Sequence, residues 1–263
     1  MIIGGALVVM VVLLALGAQI IAPQSPVSQT AQPLLRPGHD HLAGTDELGR
    51  DEFSRLIYGA RVSLYVGVLA VSIALALGAT SGIIAGFYGG WVDNILMRTM
   101  DILFSLPAIV LAIAITSILK PSLTNAMIAI GIVYAPTFAR IARGPTLAVV
   151  NLAYIEAARA VGIPNGKIML RHVLPNVSAP LIVQTTVSLS TAILTEAALS
   201  FLGLGTQPPT ASWGLMLSSA RQYMLIDPWI AVLPGAAIAL TVLGFNLLGD
   251  GLRDLLDPRI RTM

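Results

Sequence analysis

The chain has 263 residues, of which 56% are hydrophobic and only 11% are charged. A soluble domain contains about a quarter charged residues, so this composition and the mean hydropathy of +0.84 exclude a soluble protein and indicate one embedded in a membrane. The net charge of +2 gives no reason to expect nucleic-acid binding, and the absence of cysteine excludes disulfides, thiol chemistry and thiolate metal sites.

The first apolar segment, residues 2–22, carries no charge and is long enough to span a bilayer. It lacks the basic start of a cleavable signal peptide, so we expect a retained first helix and keep the signal peptide as the alternative. A loop rich in Pro, Gln and Ser follows. His39 and His41 beside Asp40 could suggest a metal site, but no further ligands stand nearby, so no metal site is predicted.

The next segment predicts a short helix at the membrane surface. Phe53, Leu56 and Ile57 share one helical face. Asp51 and Arg55, four residues apart, are placed to form an ion pair on the opposite face. Such an amphipathic helix would lie on the bilayer and lead into the next span.

Five further apolar segments complete the prediction of an all-α membrane protein with six transmembrane helices. They cover residues 62–87, 102–119, 123–139, 180–202 and 229–248. The chain then divides into residues 1–60, with the first span, external loop and surface helix, and a five-helix core, residues 61–263. The polar parts of this core are a basic loop at residues 140–179 and a tail at residues 249–263.

Two features inside these spans concern helix packing and shape. Gly78, Gly82 and Gly86 recur every four residues, a stripe of small residues that lets another helix approach closely. Pro107 is expected to kink the third span, and residues 88–98 before it are expected to form a turn.

The fifth span carries a polar stripe. Gln184, Ser188, Thr191 and Thr195 recur at helical spacing and form one face. Glu196 beside them is the only ionisable side chain deep within a predicted span, and such acids usually face protein or a watery cavity. Two interpretations stay open: the stripe and Glu196 line a solute path, or the hydroxyls bond to neighbouring helices.

The longest polar interval in the second half of the chain is residues 151–176, which is basic apart from Glu156. Its alanine-rich start, residues 152–161, predicts a short helix. Gly162 provides the C-cap, and a proline two residues later prevents continuation. A second amphipathic helix follows and is expected to end at Pro175. The interval therefore predicts a helix–turn–helix elbow that contacts a soluble partner.

The elbow resembles the EAA loop of the permeases of ABC importers. The resemblance rests on Glu156-Ala157-Ala158, on Gly162 after three further residues, and on Leu174-Pro175. His172 stands where the general pattern has an apolar residue, and residues 171–176 resemble the branch that carries peptides and nickel. Residues 44–51, 196–214 and 249–259 resemble the same branch.

This resemblance implies a type I ABC importer permease fold in which the elbow forms a cytoplasmic coupling helix, seated in a groove of an ATPase. The residues implied in coupling are Glu156, Ala157, Ala158, Arg159, Gly162, Arg171 and His172. Glu156 would pair with the ATPase surface, Ala157 and Ala158 would permit close docking, and Gly162 would allow the sharp exit of the chain.

The family also implies partners and a location. The expected partners are a second homologous permease subunit in a heterodimer, two ATPase subunits or domains that bind ATP and Mg²⁺, and an extracellular or periplasmic solute-binding protein. The expected location is the plasma (inner) membrane of a prokaryote, with several spans and both termini in the cytoplasm. Nine basic residues would then lie inside and six outside, a mild bias in the usual direction. Di- or oligopeptides are the implied substrates, and nickel or another small solute is the alternative.

The chain carries no nucleotide-binding motif, so we predict that it is not an enzyme and binds no cofactor itself. Residues 162–168 superficially resemble a P-loop but have three intervening residues instead of four and lack the Ser or Thr after the lysine. Energy must come from another chain or from an ion gradient. A gradient-driven carrier, the alternative of another class, normally needs several buried ionisable groups, and the spans offer Glu196 alone.

Overall fold

The computed structural model describes residues 1–256, and the regular structure in that range is helical apart from one isolated bridge between Thr45 and Asp51. The prediction of an all-α protein is confirmed for this range. The helices are α1 (Ile2–Leu16), α2 (Ala18–Ile21), α3 (Glu52–Tyr88), α4 (Gly90–Phe104), α5 (Ala108–Leu119), α6 (Leu123–Val150), α7 (Ala153–Ala160), α8 (Asn165–Ile168), α9 (Leu174–Phe201), α10 (Trp213–Ala220) and α11 (Trp229–Leu256). A π turn, Met169–Val173, joins α8 to α9.

Six helical segments run alternately between the two ends of the bundle: α1, α3, the α4–α5 pair, α6, α9 and α11. α1 begins beside the end of α11, because Gly4 lies against Leu248 and Met1 lies against Gly251. We call this end, which also carries α7 and α8, the elbow end. The opposite end, with residues 22–51 and the connection from α9 to α11, is the loop end.

Helix length and composition support four or five membrane crossings. α3, α6, α11 and the continuous Asn165–Phe201 segment are each long and apolar enough to cross a membrane. α4 and α5 meet at 91° and give a fifth crossing if they are counted as one span. α1 is apolar but has only 15 residues. The alternation of six segments is compatible with the six spans predicted, while helix length alone does not establish the sixth.

α3 and α6 pack so closely that their backbones touch. A Cβ added to Gly78 would collide with the carbonyl oxygen of Ala135, and one added to Gly82 would collide with that of Ala139. Gly86 is similarly crowded by α6. The prediction that this glycine stripe serves helix packing is confirmed, and the contact forms the centre of the bundle.

The predicted surface helix is not a separate element. α3 runs without interruption for 37 residues, which corresponds to about 55 Å at the α-helical rise. The hydrocarbon core of a bilayer is about 30 Å thick, so α3 extends beyond it. The domain boundary predicted at residue 60 therefore falls inside a helix.

The predicted ion pair between Asp51 and Arg55 is also wrong. The Asp51 carboxylate caps α3 instead, accepting hydrogen bonds from the backbone N–H of Ser54 at 2.8 Å and from its hydroxyl at 2.7 Å. Arg55 lies 3.2 Å from Asp46, which also binds Arg50 at 2.6 Å. Spacing alone suggested an intrahelical pair, but a carboxylate at the N-cap binds the free N–H groups of the first turn.

Three connections differ from the predictions. Residues 88–98 belong mostly to α4, because Gly89 and Gly90, both with positive φ, complete the turn in two residues. The expected kink at Pro107 is a break that separates α4 from α5. α6 continues to Val150, so the first part of the predicted basic loop is helical.

Pro175 does not end a helix, contrary to the prediction. It lies at the start of α9, where a proline is tolerated because its missing N–H needs no partner within the helix. The preceding π turn lets the chain pass from α8 into α9, and the Leu174 N–H donates to the carbonyl of Met169. Residues 249–256 of the predicted tail continue α11, and residues 257–263 lie outside the described residues.

Candidate coupling elbow and polar stripe

α7 ends in a Schellman motif at the predicted glycine. Gly162 has φ +82°, and its N–H donates to the carbonyl of Arg159 at 2.9 Å. The N–H of Ile163 donates to the carbonyl of Ala158 at 3.0 Å. These bonds satisfy the last carbonyls of the helix and reverse the chain direction, so the predicted C-cap is confirmed.

α7 has one buried face and one exposed face. Ile155 is completely buried and Ala158 is 9% exposed, and both belong to the main hydrophobic core. Glu156, Ala157 and Arg159 are exposed. The exposed face could contact another protein, whereas Ala158, expected at that surface, packs inside this chain.

One ring contact closes the elbow on itself, and a second joins it to the bundle. The half-buried His172 ring lies 5.9 Å from the Tyr154 ring, measured between centroids. The Arg159 guanidinium lies 5.0 Å from the centroid of Phe87 at the end of α3. Arg171, in the π turn, is exposed. Arg159 and Arg171 are therefore both exposed, whereas Arg159 and the half-buried His172 also contact aromatic rings.

Two ion pairs between α4 and α6 were missed by the sequence analysis. Arg143 binds Asp93 through two hydrogen bonds, at 2.6 and 2.5 Å. Arg140 lies 2.7 Å from Asp101, and its guanidinium stacks 4.1 Å from the Phe104 centroid. The partners are 39 and 50 residues apart in sequence, so no local spacing could have paired them. They attach α4 to the helix that leads into the elbow.

The side chains of the polar stripe of α9 share one helical face but differ in their exposure to solvent. The Gln184 amide donates to the Ser188 hydroxyl at 3.0 Å, and Ser188 is 1% exposed. The Thr195 hydroxyl bonds to the Tyr134 hydroxyl of α6 at 2.8 Å. Thr191 between them is exposed. One part of the stripe therefore packs against other groups of this chain, and Thr191 is its open part.

Glu196 faces a different part of the bundle, where it is completely buried. Its carboxyl oxygens accept hydrogen bonds from Ser200 at 2.7 Å, from Thr206 at 3.2 Å and from Ser63 of α3 at 3.4 Å. The Ser200 hydroxyl also accepts from the Thr206 backbone N–H at 2.9 Å. These bonds join α9, α3 and the loop after α9 at the loop end.

The histidines of the first loop have a structural explanation. His41 Nδ1 lies 2.9 Å from the Asp51 carboxylate, next to the cap of α3. Within residues 1–256, no group of three or more His, Cys, Asp or Glu side chains could hold a metal ion.

Solved structures share the helical architecture. A chain of the MetNI methionine ABC transporter in an inward-facing conformation matches with a TM-score of 0.60 and 19% identity, over 77% of this chain and 96% of that chain. A chain of an amino acid ABC transporter crystallised with histidines matches with a TM-score of 0.57 and 16% identity, over 77% and 94%. These likenesses confirm the predicted importer permease fold.

Curated relatives match over almost the whole length. A dipeptide transport system permease protein, DppC, of Alkalihalophilus pseudofirmus is 47% identical over 99% of this chain and 86% of that protein. A glutathione transport system permease protein, GsiD, of Pectobacterium atrosepticum is 44% identical over 98% and 86%. A di/tripeptide transport system permease protein, DppC, of Pseudomonas aeruginosa is 47% identical over 98% and 88%.

The family model that matches this chain describes the inner membrane component of binding-protein-dependent transport systems, and it covers residues 78–262. The matched range contains α4 to α11, the elbow and the polar stripe, and most of the apolar crossings. Together with relatives that are 44–47% identical over nearly all of the sequence, this match shows that the chain belongs to the family of inner membrane components of binding-protein-dependent transport systems.

Proposed function

We propose that this protein is the transmembrane permease subunit of an ATP-driven importer of di- or oligopeptides. The observation that carries the proposal is the identity of 44–47% with permeases named for dipeptides, di/tripeptides and glutathione, over at least 98% of this chain. Glutathione is itself a small peptide, so the three names share one substrate class.

The chain obtains its energy from partner ATPases, which bind ATP and Mg²⁺. The exposed face of α7, with Glu156, Ala157 and Arg159, docks in a groove of an ATPase subunit, and Arg171 adds a second exposed charge. Ile155 and Ala158 fix the inner face of α7 to the bundle core. Because α7 follows α6 after only two residues, a push on α7 is transmitted to α6.

A second, homologous permease subunit completes the path across the membrane. Thr191 is the part of the stripe that this chain leaves exposed, and it lies on the solute path or on the contact with the second subunit. Gln184, Ser188 and Thr195 are held in place by hydrogen bonds within this chain. Glu196 holds the loop end of α9 in place and has no exposed surface in this chain.

The elbow end faces the cytoplasm of a prokaryote, and the loop end faces outward, toward a solute-binding protein. The mild excess of basic residues at the elbow end supports this orientation. We also place both termini in the cytoplasm, and the contact between Met1 and Gly251 at the elbow end supports this placement.

Nickel or another small solute carried by the same scaffold is the second candidate, because residues 171–176 resemble the branch that transports both classes. A gradient-driven carrier is disfavoured, because the family to which the chain belongs depends on binding proteins.

The test is uptake by the complex in proteoliposomes. The complex is purified from its native membrane with its associated subunits, reconstituted, and supplied with its binding protein and labelled di- and tripeptides or Ni²⁺. We expect peptide uptake that requires ATP and the binding protein. Uptake of Ni²⁺ but not of peptide would show that nickel is the substrate instead. Uptake by this chain alone without ATP would overturn the proposal.

A further inference from the structure

An apolar groove opens between α1, α3 and α11. Its volume is about 260 Å³. Val11, Ile57 and Leu240 line its sides, and Trp213 of α10 lies at its floor. Trp213 is 2% exposed, and its indole N–H donates to the carbonyl of Leu56 at 2.9 Å. The groove therefore presents hydrocarbon and one fixed aromatic ring to whatever enters it.

A second cavity of about 630 Å³ continues the groove toward the loop end. The two cavities share Phe53, Leu56 and Leu233 in their linings, so they lie next to each other along α3 and α11. The second cavity adds Arg36 and Trp229. The space is therefore apolar inside and has a cation and an indole ring at its mouth.

The position of the groove along the helices fits one leaflet of a bilayer. Its lining residues on α11 run from Leu233 to Thr241, a distance of about 12 Å at the α-helical rise. Trp229 is the first residue of α11 and is half exposed, as is typical of an aromatic side chain at the interface between lipid and water. The groove thus extends from the interface toward the middle of the membrane.

Arg36 at the mouth is available to an anion. It is exposed, and among residues 1–256 no carboxylate lies within ion-pair distance of it. A guanidinium forms two parallel hydrogen bonds with a phosphate, and such bonds are stronger than those between neutral groups. A ligand with a phosphate and a long hydrocarbon chain would match both parts of the space.

We propose that this groove binds a phospholipid from the leaflet at the loop end, with one acyl chain against Trp213 and the phosphate of an anionic headgroup at Arg36. A helix with its side chains is about 10–12 Å wide, whereas a single hydrocarbon chain is much narrower and can enter the inner groove more deeply. The proposal depends only on the chain spanning a bilayer, so it stands or fails separately from the substrate and the ATPases.

The test uses the fluorescence of Trp213 in the full chain. The chain has three tryptophans, so Trp91→Phe with Trp229→Phe leaves Trp213 alone. This variant is reconstituted in vesicles containing phosphatidylglycerol or phosphatidylethanolamine with brominated acyl chains, which quench indole on contact. We expect roughly a two-fold loss of Trp213 fluorescence, because Trp213 belongs to the lining of the inner groove and would be a neighbour of a chain inside it.

Two matched pairs of variants test the site. Ala236→Phe fills the groove from its open side and should remove the quenching, whereas Ala239→Phe, also exposed on α11 but outside the groove, should leave it unchanged. A further experiment uses a phosphatidylethanolamine bilayer that contains a small fraction of brominated phosphatidylglycerol. The fraction of Trp213 fluorescence that is quenched should then exceed the fraction of brominated lipid in the bilayer. Arg36→Gln should remove this excess, and Arg221→Gln in another exposed loop should keep it.

All four substituted side chains are exposed, so folding should be preserved. Quenching that simply follows the bulk lipid fraction and ignores Ala236→Phe would show that no lipid occupies the groove. Absence of quenching in every vesicle would show that a protein segment fills it. Either result overturns the proposal.

Discussion

Arg143 of α6 binds Asp93 of α4 through two parallel hydrogen bonds, at 2.6 and 2.5 Å, across 50 residues of sequence. The Asp93 side chain is only 15% exposed, so the pair is partly shielded from water. The contact joins α4, which stands at a right angle to α5, to the helix that carries the elbow.

Breaking this pair should loosen α4 from α6. We expect Arg143→Gln to lower the free energy of unfolding by about 1–2 kcal/mol, since hydrogen bonds to charged groups contribute amounts of this order. Transport-coupled ATP hydrolysis should fall as well. Thermal unfolding in detergent and ATPase assays on the purified complex measure the two effects.

Arg140→Gln is the internal control, because its partner Asp101 is 60% exposed and exposed pairs contribute about 0–1 kcal/mol. The double variant Asp93→Arg with Arg143→Asp should recover part of the lost stability by restoring opposite charges. Equal effects of the two arginine substitutions, or no recovery in the exchanged pair, would contradict this role.

Gly162→Asp should uncouple transport from ATP hydrolysis. A side chain at φ +82° costs about 1–2 kcal/mol in the left-handed region, so the exit from α7 should change direction and the docking face should move. We expect uptake in proteoliposomes to fall at least about ten-fold, the equivalent of 1.4 kcal/mol, while the chain stays in the membrane.

Gly166→Asp provides the matched control, since Gly166 is exposed, has open space around it and lacks a positive φ. It should keep near-normal uptake. Normal uptake and normal ATPase assembly in the Gly162 variant would rule out the coupling role.

Glu196→Ala should strongly destabilise the loop end. The substitution leaves the hydroxyls of Ser63, Ser200 and Thr206 without their acceptor in a buried site, and each unsatisfied buried group costs about 1–3 kcal/mol. Glu196→Gln keeps one carbonyl oxygen as an acceptor, so it should retain most of the stability. The melting temperatures in detergent should therefore rank wild type, Gln and Ala in that order, and a Gln variant as unstable as Ala would exclude a simple acceptor role.

Cysteines in the polar stripe should distinguish a solute path from helix packing. The native chain has no cysteine, so each introduced thiol is unique. Thr191→Cys should react with a membrane-impermeant thiol reagent, and the rate should change when ATP and the binding protein are added. Ser188→Cys should be protected because that position is 1% exposed.

Ile182→Cys is the control on the opposite face of α9. It is nine residues from Thr191, about half a turn away around the helix at 100° per residue, and is 48% exposed. Protection of Thr191→Cys in all states would favour packing against the second subunit.

The parts of the fold that sequence could predict depend on local rules. Gly162 followed by Pro164 is a local signal for a helix end, and the structure shows the expected Schellman bonds. The spacing of Gly78 and Gly82 marks a close helix contact, although it does not name α6 as the partner. Apolar length similarly predicts membrane crossings but not which of the helices pack together.

The parts that sequence missed depend on distant neighbours or on competition between two local roles. Asp93 and Arg143 meet only because α3 and α6 fix the position of α4. Asp51 could pair with Arg55 or cap α3. It caps the helix because a free backbone N–H group of the first turn donates to its carboxylate. The prediction that Pro175 ends a helix is wrong because the sequence alone does not reveal the preceding π turn.

The backbone contact between Gly82 and the carbonyl of Ala139 has a mechanical consequence. Two helices that touch at the main chain have no compressible side chains between them. α3 and α6 should therefore move together as one rigid unit rather than slide past each other. A displacement of the elbow would then be transmitted along the 37 residues of α3 to its first turn. Bending should concentrate at joints such as the right-angled break between α4 and α5.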